Sequence, residues 1–202
     1  NILENLIAYK GSSIKEFKPM LATKVPTLEN GLISEDGTEY TFPIREDVKF
    51  SNGNKLSPAD VKYSFMRGMI TSRTGGPMWM LLEPFFGVQT LDGVAQNVLN
   101  KDENFEVEDM TAAQSEKVYQ AMEEKMIIKD NKITFKLENP YPPFLSILAH
   151  NNQAGMILDK EWSIKQGCWP DEPKKIAKYH DPAKKEDPLY NKVMGTGPFS
   201  LQ

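Results

Sequence analysis

The sequence predicts an α+β (mixed α/β) fold, in which a mixed sheet rich in antiparallel strands is flanked by helices. Two segments, 37–45 and 130–138, follow an Asx or Gly turn with alternating apolar and polar residues, the pattern of half-buried strands. Other stretches place apolar residues at helical spacing behind N-terminal caps. Two similar strands of this kind favour neighbouring positions in one antiparallel sheet.

The N-terminal stretch predicts a short helix. Ile2, Leu3, Leu6 and Ile7 form an apolar stripe at helical spacing that ends near residues 11–12. The chain starts in the middle of this pattern and with Asn1, so we expect a fragment or a trimmed chain.

The segment 37–65 carries the clearest local signals for secondary structure in the sequence. Its first half predicts a strand. Tyr40, Phe42 and Ile44 give the strand one apolar face. Pro43 cannot donate a ladder hydrogen bond, which predicts an edge position or a bulge.

The second half of this segment predicts a turn followed by a capped helix. Residues 51–54 tolerate positive φ and turn the chain. Ser57 is a helix cap, Pro58 suits the first helical position, and Asp60 lies at the positive end of the helix dipole. We expect this helix to end near residue 72.

The rest of the chain alternates helices with irregular segments. Thr111 and Gln114 form a capping box, which predicts a helix after a polar region of surface character at 89–109. The remaining predictions are apolar or short helices near 78–82, 94–99, 144–150 and 160–163, a short strand at 154–158, and a long surface loop at 167–192.

Composition excludes several classes of function. Of the 202 residues, 40% are hydrophobic, which is ordinary for a folded domain. The formal charge of −4 argues against a nucleic-acid partner, because phosphate binding requires a basic surface. The lone Cys168 excludes an internal disulfide and is expected to be a small buried side chain. His150 and His180 match no metal or triad spacing, and the carboxylates are scattered. We therefore predict no catalytic residue, metal site or cofactor.

A Gly-x-Gly-Pro segment closes the chain at Gly195, Gly197 and Pro198. Two glycines without a following helix pattern do not predict a phosphate-binding loop. A hinge between two lobes is the better interpretation, since glycines absorb the dihedral changes of closure and proline restricts the rest.

These motifs closely resemble the signature of the family 5 extracellular solute-binding proteins, the peptide, nickel and oligosaccharide receptors of ABC importers. The 18–23 segment and the closing 194–199 segment resemble two further family motifs, and Asn52 stands where the family usually has Asp. The matching signature residues are Tyr40-Thr41-Phe42, Ile44-Arg45, Val48-Lys49-Phe50, Asn52-Gly53, Leu56-Ser57, Asp60-Val61 and Tyr63-Ser64-Phe65.

The resemblance implies a periplasmic-binding-protein-like type II lobe within a longer receptor. It implies a lobe-crossing segment at 1–24, a smaller lobe at 25–192, and a return to the hinge and large lobe at 193–202. It further implies an extracytoplasmic monomer, periplasmic or a cell-surface lipoprotein. Such a receptor captures an oligopeptide or similar solute and delivers it to a membrane permease.

Two groups of residues are candidates for ligand contact. Met78, Trp79 and Met80 follow a Gly-Gly-Pro break, either as a buried helix or with Trp79 stacking on a ligand in the cleft. The resemblance favours the cleft-facing aromatic. The second group, which is either a ligand-binding polar cluster or a plain turn, is Asn151, Asn152 and Gln153.

Two other functions remain open from the sequence. A hydrolase domain would require two facing carboxylates with shifted pKa values in a cleft. A sensory or interaction module would keep the lobe and have no role in transport.

Overall fold

The structure is a computed structural model that describes residues 2–73, 75–150 and 153–199. The strands are β1 (Ile7–Tyr9), β2 (Phe17–Pro19), β3 (Glu39–Pro43), β4 (Met126–Lys129) and β5 (Lys132–Lys136). The helices are α1 (Pro58–Ile70), α2 (Trp79–Phe86), α3 (Leu91–Leu99), α4 (Ala112–Glu123), α5 (Phe144–Ala149), α6 (Lys160–Lys165) and α7 (Ile176–Tyr179). Short 3₁₀ turns lie at Val107–Asp109, Gln153–Gly155 and Pro173–Lys175.

The central sheet has the order β3-β5-β4, and both pairings are antiparallel. This confirms that the two alternating segments are neighbours and that the fold is α+β. Strand β3 is an edge of the sheet, so the missing N–H of Pro43 is tolerated there.

The core forms around Phe135, on the buried face of β5. Its ring centroid lies 4.7–5.9 Å from those of four other phenylalanines, and all five side chains are at most 1% exposed. Tilted and edge-on ring pairs of this kind add to the stabilisation from apolar burial. The four partners, from β3, α1, α2 and α5, are Phe42, Phe65, Phe85 and Phe144.

The predicted cap and the first turn of α1 are confirmed. The backbone N–H and the hydroxyl of Ser57 donate to Oδ2 of Asp60 at 2.9 and 2.7 Å. The capping box before α4 is also confirmed, with Gln114 N–H donating to Thr111 Oγ1 at 3.3 Å and Thr111 N–H to Gln114 Oε1 at 2.9 Å.

The predicted N-terminal helix is wrong. Residues 2–6 are not helical, and Ile7 begins β1, which pairs antiparallel with β2. Asn5 makes an isolated bridge with Met156 instead of continuing a helix. Tertiary pairing has overridden the local spacing, since the same residues gain strand partners on two sides.

The predicted strand at 154–158 is also wrong. The segment begins with the 3₁₀ turn Gln153–Gly155, and only the bridge at Met156 has strand character.

The 167–192 segment is less of a surface loop than expected. Cys168, Trp169 and Ile176 are at most 2% exposed, and the segment contains a 3₁₀ turn and α7. Trp169 stacks on Tyr63 with ring centroids 5.9 Å apart and an interplanar angle of 9°. A large buried aromatic stabilises the fold through its apolar area, so this part of the segment belongs to the core.

No helix among the described residues has the length and apolar character that crossing a membrane requires.

Candidate ligand-binding site

A cavity of about 420 Å³ lies between α1, the turn that precedes α2, and the segment 184–193. Its apolar lining includes Met78, Met156 and Leu158, and its mouth is open to solvent. Concave sites with apolar walls and a few polar groups are typical of small-solute binding.

The charged groups around this cavity are mostly cationic. Asp187 is the one anion among its described lining residues, and it is bound to Arg67 at 2.7 Å. The three other cations, Arg73, Lys184 and Lys192, give the cavity a net positive charge. Such a surface favours a ligand with a carboxylate or another anionic group.

The Arg67–Asp187 ion pair fixes the outer wall of the cavity. The Arg67 side chain is 10% exposed and lies on α1, whereas Asp187 belongs to the C-terminal segment. Oδ1 of Asp187 also accepts a hydrogen bond from the backbone N–H of Leu189 at 2.9 Å. This wall therefore has a defined conformation although it has little regular structure.

The two ends of the chain run side by side next to the cavity. The N–H of Gly197 donates to the carbonyl of Ile2 at 2.9 Å, and the Thr196 hydroxyl donates to Glu4 at 2.8 Å. On the other side of Glu4, its carbonyl accepts from the N–H of Ile157 at 3.0 Å. Because Leu3 also lines the cavity, the paired ends form part of its wall.

Gly195 is required for close approach of the two chain ends. A Cβ atom at this position would lie 2.0 Å from the carbonyl oxygen of Ile2. The Gly195 carbonyl accepts hydrogen bonds from the N–H and the hydroxyl of Ser51, at 3.0 and 3.1 Å. Since Gly195 is not among the described glycines with positive φ, its role here is steric rather than conformational. The hinge assignment of Gly195, Gly197 and Pro198 stays a prediction.

The structure separates the predicted ligand residues. Met78 lines the cavity and is 8% exposed, whereas Trp79 begins α2, is 42% exposed and lies outside the cavity lining. Met80 is half-buried. The second group lies largely outside the described residues: Asn151 and Asn152 are not described, and Gln153 is described only as the start of a 3₁₀ turn.

Sequence reasoning missed Arg67 and Asp187. Arg67 lies in a helix that was recognised by its apolar face, and Asp187 lies in a stretch of mixed charges. Only their contact in space, across 120 residues of sequence, gives them a role.

Two carboxylates are buried close together, but they serve as structural acceptors. Burial raises the pKa of Asp60, although hydrogen bonds from Ser57 and from the backbone of Lys160 act in the opposite direction. Asp159 is 1% exposed and accepts from Asn52, Asn54 and Trp162. Neither side chain lines the cavity, so this pair does not supply the two facing carboxylates that hydrolysis in the cavity would require.

An antiparallel sheet flanked by helices in this arrangement matches the periplasmic-binding-protein-like fold. The chain belongs to the bacterial extracellular solute-binding proteins, family 5, because the model of the family's middle region matches residues 16–202. Members of this family bind solutes.

A curated relative is di/tripeptide-binding protein 2 of Pseudomonas aeruginosa. The alignment is 198 positions long and 28% identical, and it covers 93% of this chain and 29% of the relative. The chain thus spans less than a third of the length of that protein.

Solved structures share the fold. The periplasmic binding protein DppA of Helicobacter pylori, in complex with the peptide STSA, has a TM-score of 0.56 and 24% identity; the match covers 99% of this chain and 30% of DppA. Peptide-bound OppA of Listeria monocytogenes has a TM-score of 0.57 and 19% identity, over 98% of this chain and 30% of OppA.

Proposed function

We propose that the chain forms the smaller lobe of an ABC-importer receptor, which captures an oligopeptide or similar small solute between two lobes and delivers it to a membrane permease. The receptor binds its ligand and catalyses no reaction. It acts outside the cytoplasm as a monomer, either in the periplasm or as a cell-surface lipoprotein.

The main support is the pairing of the two chain ends beside the cavity. Two segments that cross between lobes at one place leave the lobes free to rotate about that crossing. The hydrogen bond between Gly197 and Ile2 holds two such segments together and supports the proposal, in which 1–24 and 193–202 are the crossing segments and 25–192 is the lobe.

The chemistry of the cavity supports a peptide or another carboxylate-bearing solute. Its cations suit a carboxylate, and Met78 offers an adaptable apolar surface. The curated relative is named a di/tripeptide-binding protein, which agrees with this ligand class. Trp79, exposed at the start of α2, is available to stack on a ligand held by the opposite lobe. The other proposed contacts are Met80, Asn151, Asn152 and Gln153.

Titration calorimetry tests this function with a panel of di- to tetrapeptides and oligosaccharides. The longer protein that contains this lobe should bind peptides, and the 202-residue chain alone should bind them very weakly because it supplies one wall of the cleft. Micromolar binding by the chain alone would contradict the proposal that this chain supplies only one wall of the cleft. Binding of sugars without peptides by the longer protein would overturn the ligand class.

The role of Trp79 has its own test in the longer protein. Trp79→Ala should weaken peptide binding about tenfold, since loss of an aromatic contact costs ~1–2 kcal/mol. Trp162→Ala, on α6, is the matched control and should bind as the wild type does. Equal affinities for both variants would remove Trp79 from the site.

A further inference from the structure

A histidine and two carboxylates from three separate segments lie close together, outside the sequence motifs described above. Asp92 lies in the first turn of α3, Glu108 in the 3₁₀ turn Val107–Asp109, and His180 directly after α7. One ligand atom from each of the three lies within 4.8 Å of the other two. None of these residues takes part in the candidate ligand-binding cavity.

The environment of His180 suits a metal ligand. Its side chain is only 7% exposed, and its Nδ1 lies 2.9 Å from the carbonyl oxygen of Ile70. Because a carbonyl only accepts hydrogen bonds, Nδ1 is the nitrogen that carries a proton in the neutral ring, and this tautomer leaves a lone pair on Nε2 for a metal ion. Within the described chain, the ion-pair neighbour of Nε2 is Glu108 Oε1 at 3.9 Å, beyond hydrogen-bond distance.

A nitrogen lone pair that faces two carboxylates is well placed to bind a cation together with them. This is also how metal-binding histidines are held, with the second ring nitrogen donating to a backbone carbonyl that fixes the tautomer and the ring orientation. The Ile70 carbonyl supplies that contact here.

The carboxylates are suitably placed around this nitrogen. Asp92 accepts a hydrogen bond from the backbone N–H of Val107 at 2.9 Å, which fixes its side chain and leaves further lone pairs. The Glu108 side chain is 52% exposed, so it can close on an ion and leaves a position open to water.

We propose that Asp92, Glu108 and His180 bind one divalent first-row transition-metal ion, of which Zn²⁺ is the type. One imidazole and two carboxylates suit such an ion, whereas Ca²⁺ and Mg²⁺ prefer oxygen ligands alone. Ligand atoms bound to Zn²⁺ lie roughly 3.4 Å apart in tetrahedral geometry. The 3.9 Å between Nε2 of His180 and Oε1 of Glu108 is about 0.5 Å longer than this, and the exposed Glu108 side chain can close that gap.

The ion would have a structural role. It would connect α3, the 3₁₀ turn and the end of α7, and would so hold the 167–192 segment against the helices that precede it. Sequence spacing could not reveal this site, because the ligands come from positions 92, 108 and 180.

The test compares metal binding and stability in the purified chain after treatment with a chelator. Titration calorimetry with ZnCl₂ at about pH 7.5 should find one equivalent bound, and Zn²⁺ should raise the melting temperature. Glu108→Gln and Asp92→Asn should each weaken Zn²⁺ binding at least tenfold. Glu103→Gln changes a nearby exposed acid outside the cluster and should leave binding unchanged.

The visible absorption of bound Co²⁺ provides a second measurement, which does not depend on changes in protein stability. Co²⁺ bound to the chain should give visible absorption bands that are lost in Glu108→Gln. Absence of Zn²⁺ binding, or equal binding by the Glu108→Gln, Asp92→Asn and Glu103→Gln variants, would overturn the proposal. It would also be overturned if metal-free Glu108→Gln lost stability while Zn²⁺ had no effect on the wild type, since the cluster would then be an ion pair of protonated His180.

Discussion

The side-chain amide of Asn52 donates a 2.8 Å hydrogen bond to Oδ2 of Asp159, a residue that is 1% exposed. Asn54 donates to the same oxygen at 2.9 Å, and the other oxygen accepts from the backbone N–H of Trp162. The turn after β3 is thereby attached to the start of α6. Asn52 stands where the resembling signature usually has Asp, and this contact gives a physical reason for the amide in this chain.

Asn52→Asp should destabilise the fold by about 2–3 kcal/mol at neutral pH, because it removes a donor from a buried carboxylate and adds a second negative charge. The pKa of the introduced acid would be raised by Asp159. The charge penalty should therefore be fully present above this raised pKa, shrink as the pH falls through it, and be lost below the ordinary carboxyl pKa of about 4, where the new acid carries a proton in both states.

Urea unfolding at neutral and acidic pH measures this difference. Asn191→Asp, in an exposed turn near the C-terminus, is the matched control and should change stability little at either pH. A pH-independent loss in Asn52→Asp would contradict the charge argument.

Gly195→Ala should destabilise the junction of the chain ends by about 1–3 kcal/mol. The new Cβ would overlap the Ile2 carbonyl oxygen, so the ends would have to separate and the contacts with Ser51 would weaken. Gly68→Ala is the control in denaturant unfolding: its Cβ meets only the flexible Met78 side chain at 3.2 Å, and alanine favours the helix. Equal stability of the two variants would exclude a steric role for Gly195.

Asp187→Ala should loosen the outer wall of the cavity. The substitution leaves the largely buried Arg67 without its anion. We expect the free energy of unfolding to fall by about 1–3 kcal/mol, less than for a fully buried pair because Asp187 is partly exposed. Trypsin should then cleave the 184–192 segment faster than in the wild type. Glu186→Ala, which removes an adjacent exposed acid, serves as the control, and the same cleavage rate in both variants would show that the ion pair does not hold this segment.

Local signals predicted the elements whose determinants lie within a few residues. Ser57, Pro58 and Asp60 specify the start of α1 by themselves, and the alternation in β3 and β5 specifies their buried faces. The two proposed sites depend on distant contacts that no local pattern contains: at the metal site His180 meets Ile70 across 110 residues, and beside the cavity Gly195 meets Ile2 across nearly the whole chain. The N-terminal stripe does not form the predicted helix for the same reason, because strand partners at 17–19 and 156 decide its conformation.

Cys168 should react slowly with a disulfide reagent in the folded chain. Burial raises the pKa of its thiol, and the nearby Arg67 only partly offsets this effect. The thiolate fraction at about pH 8 is therefore below that of a free cysteine, and access is restricted since the residue is 2% exposed. Reaction with Ellman's reagent should be at least ~100-fold slower than for glutathione and should recover fully in denaturant. A folded-state rate equal to that of glutathione would mean that the start of the 167–192 segment is not packed as described, and that Trp169 next to it does not anchor the segment to Tyr63.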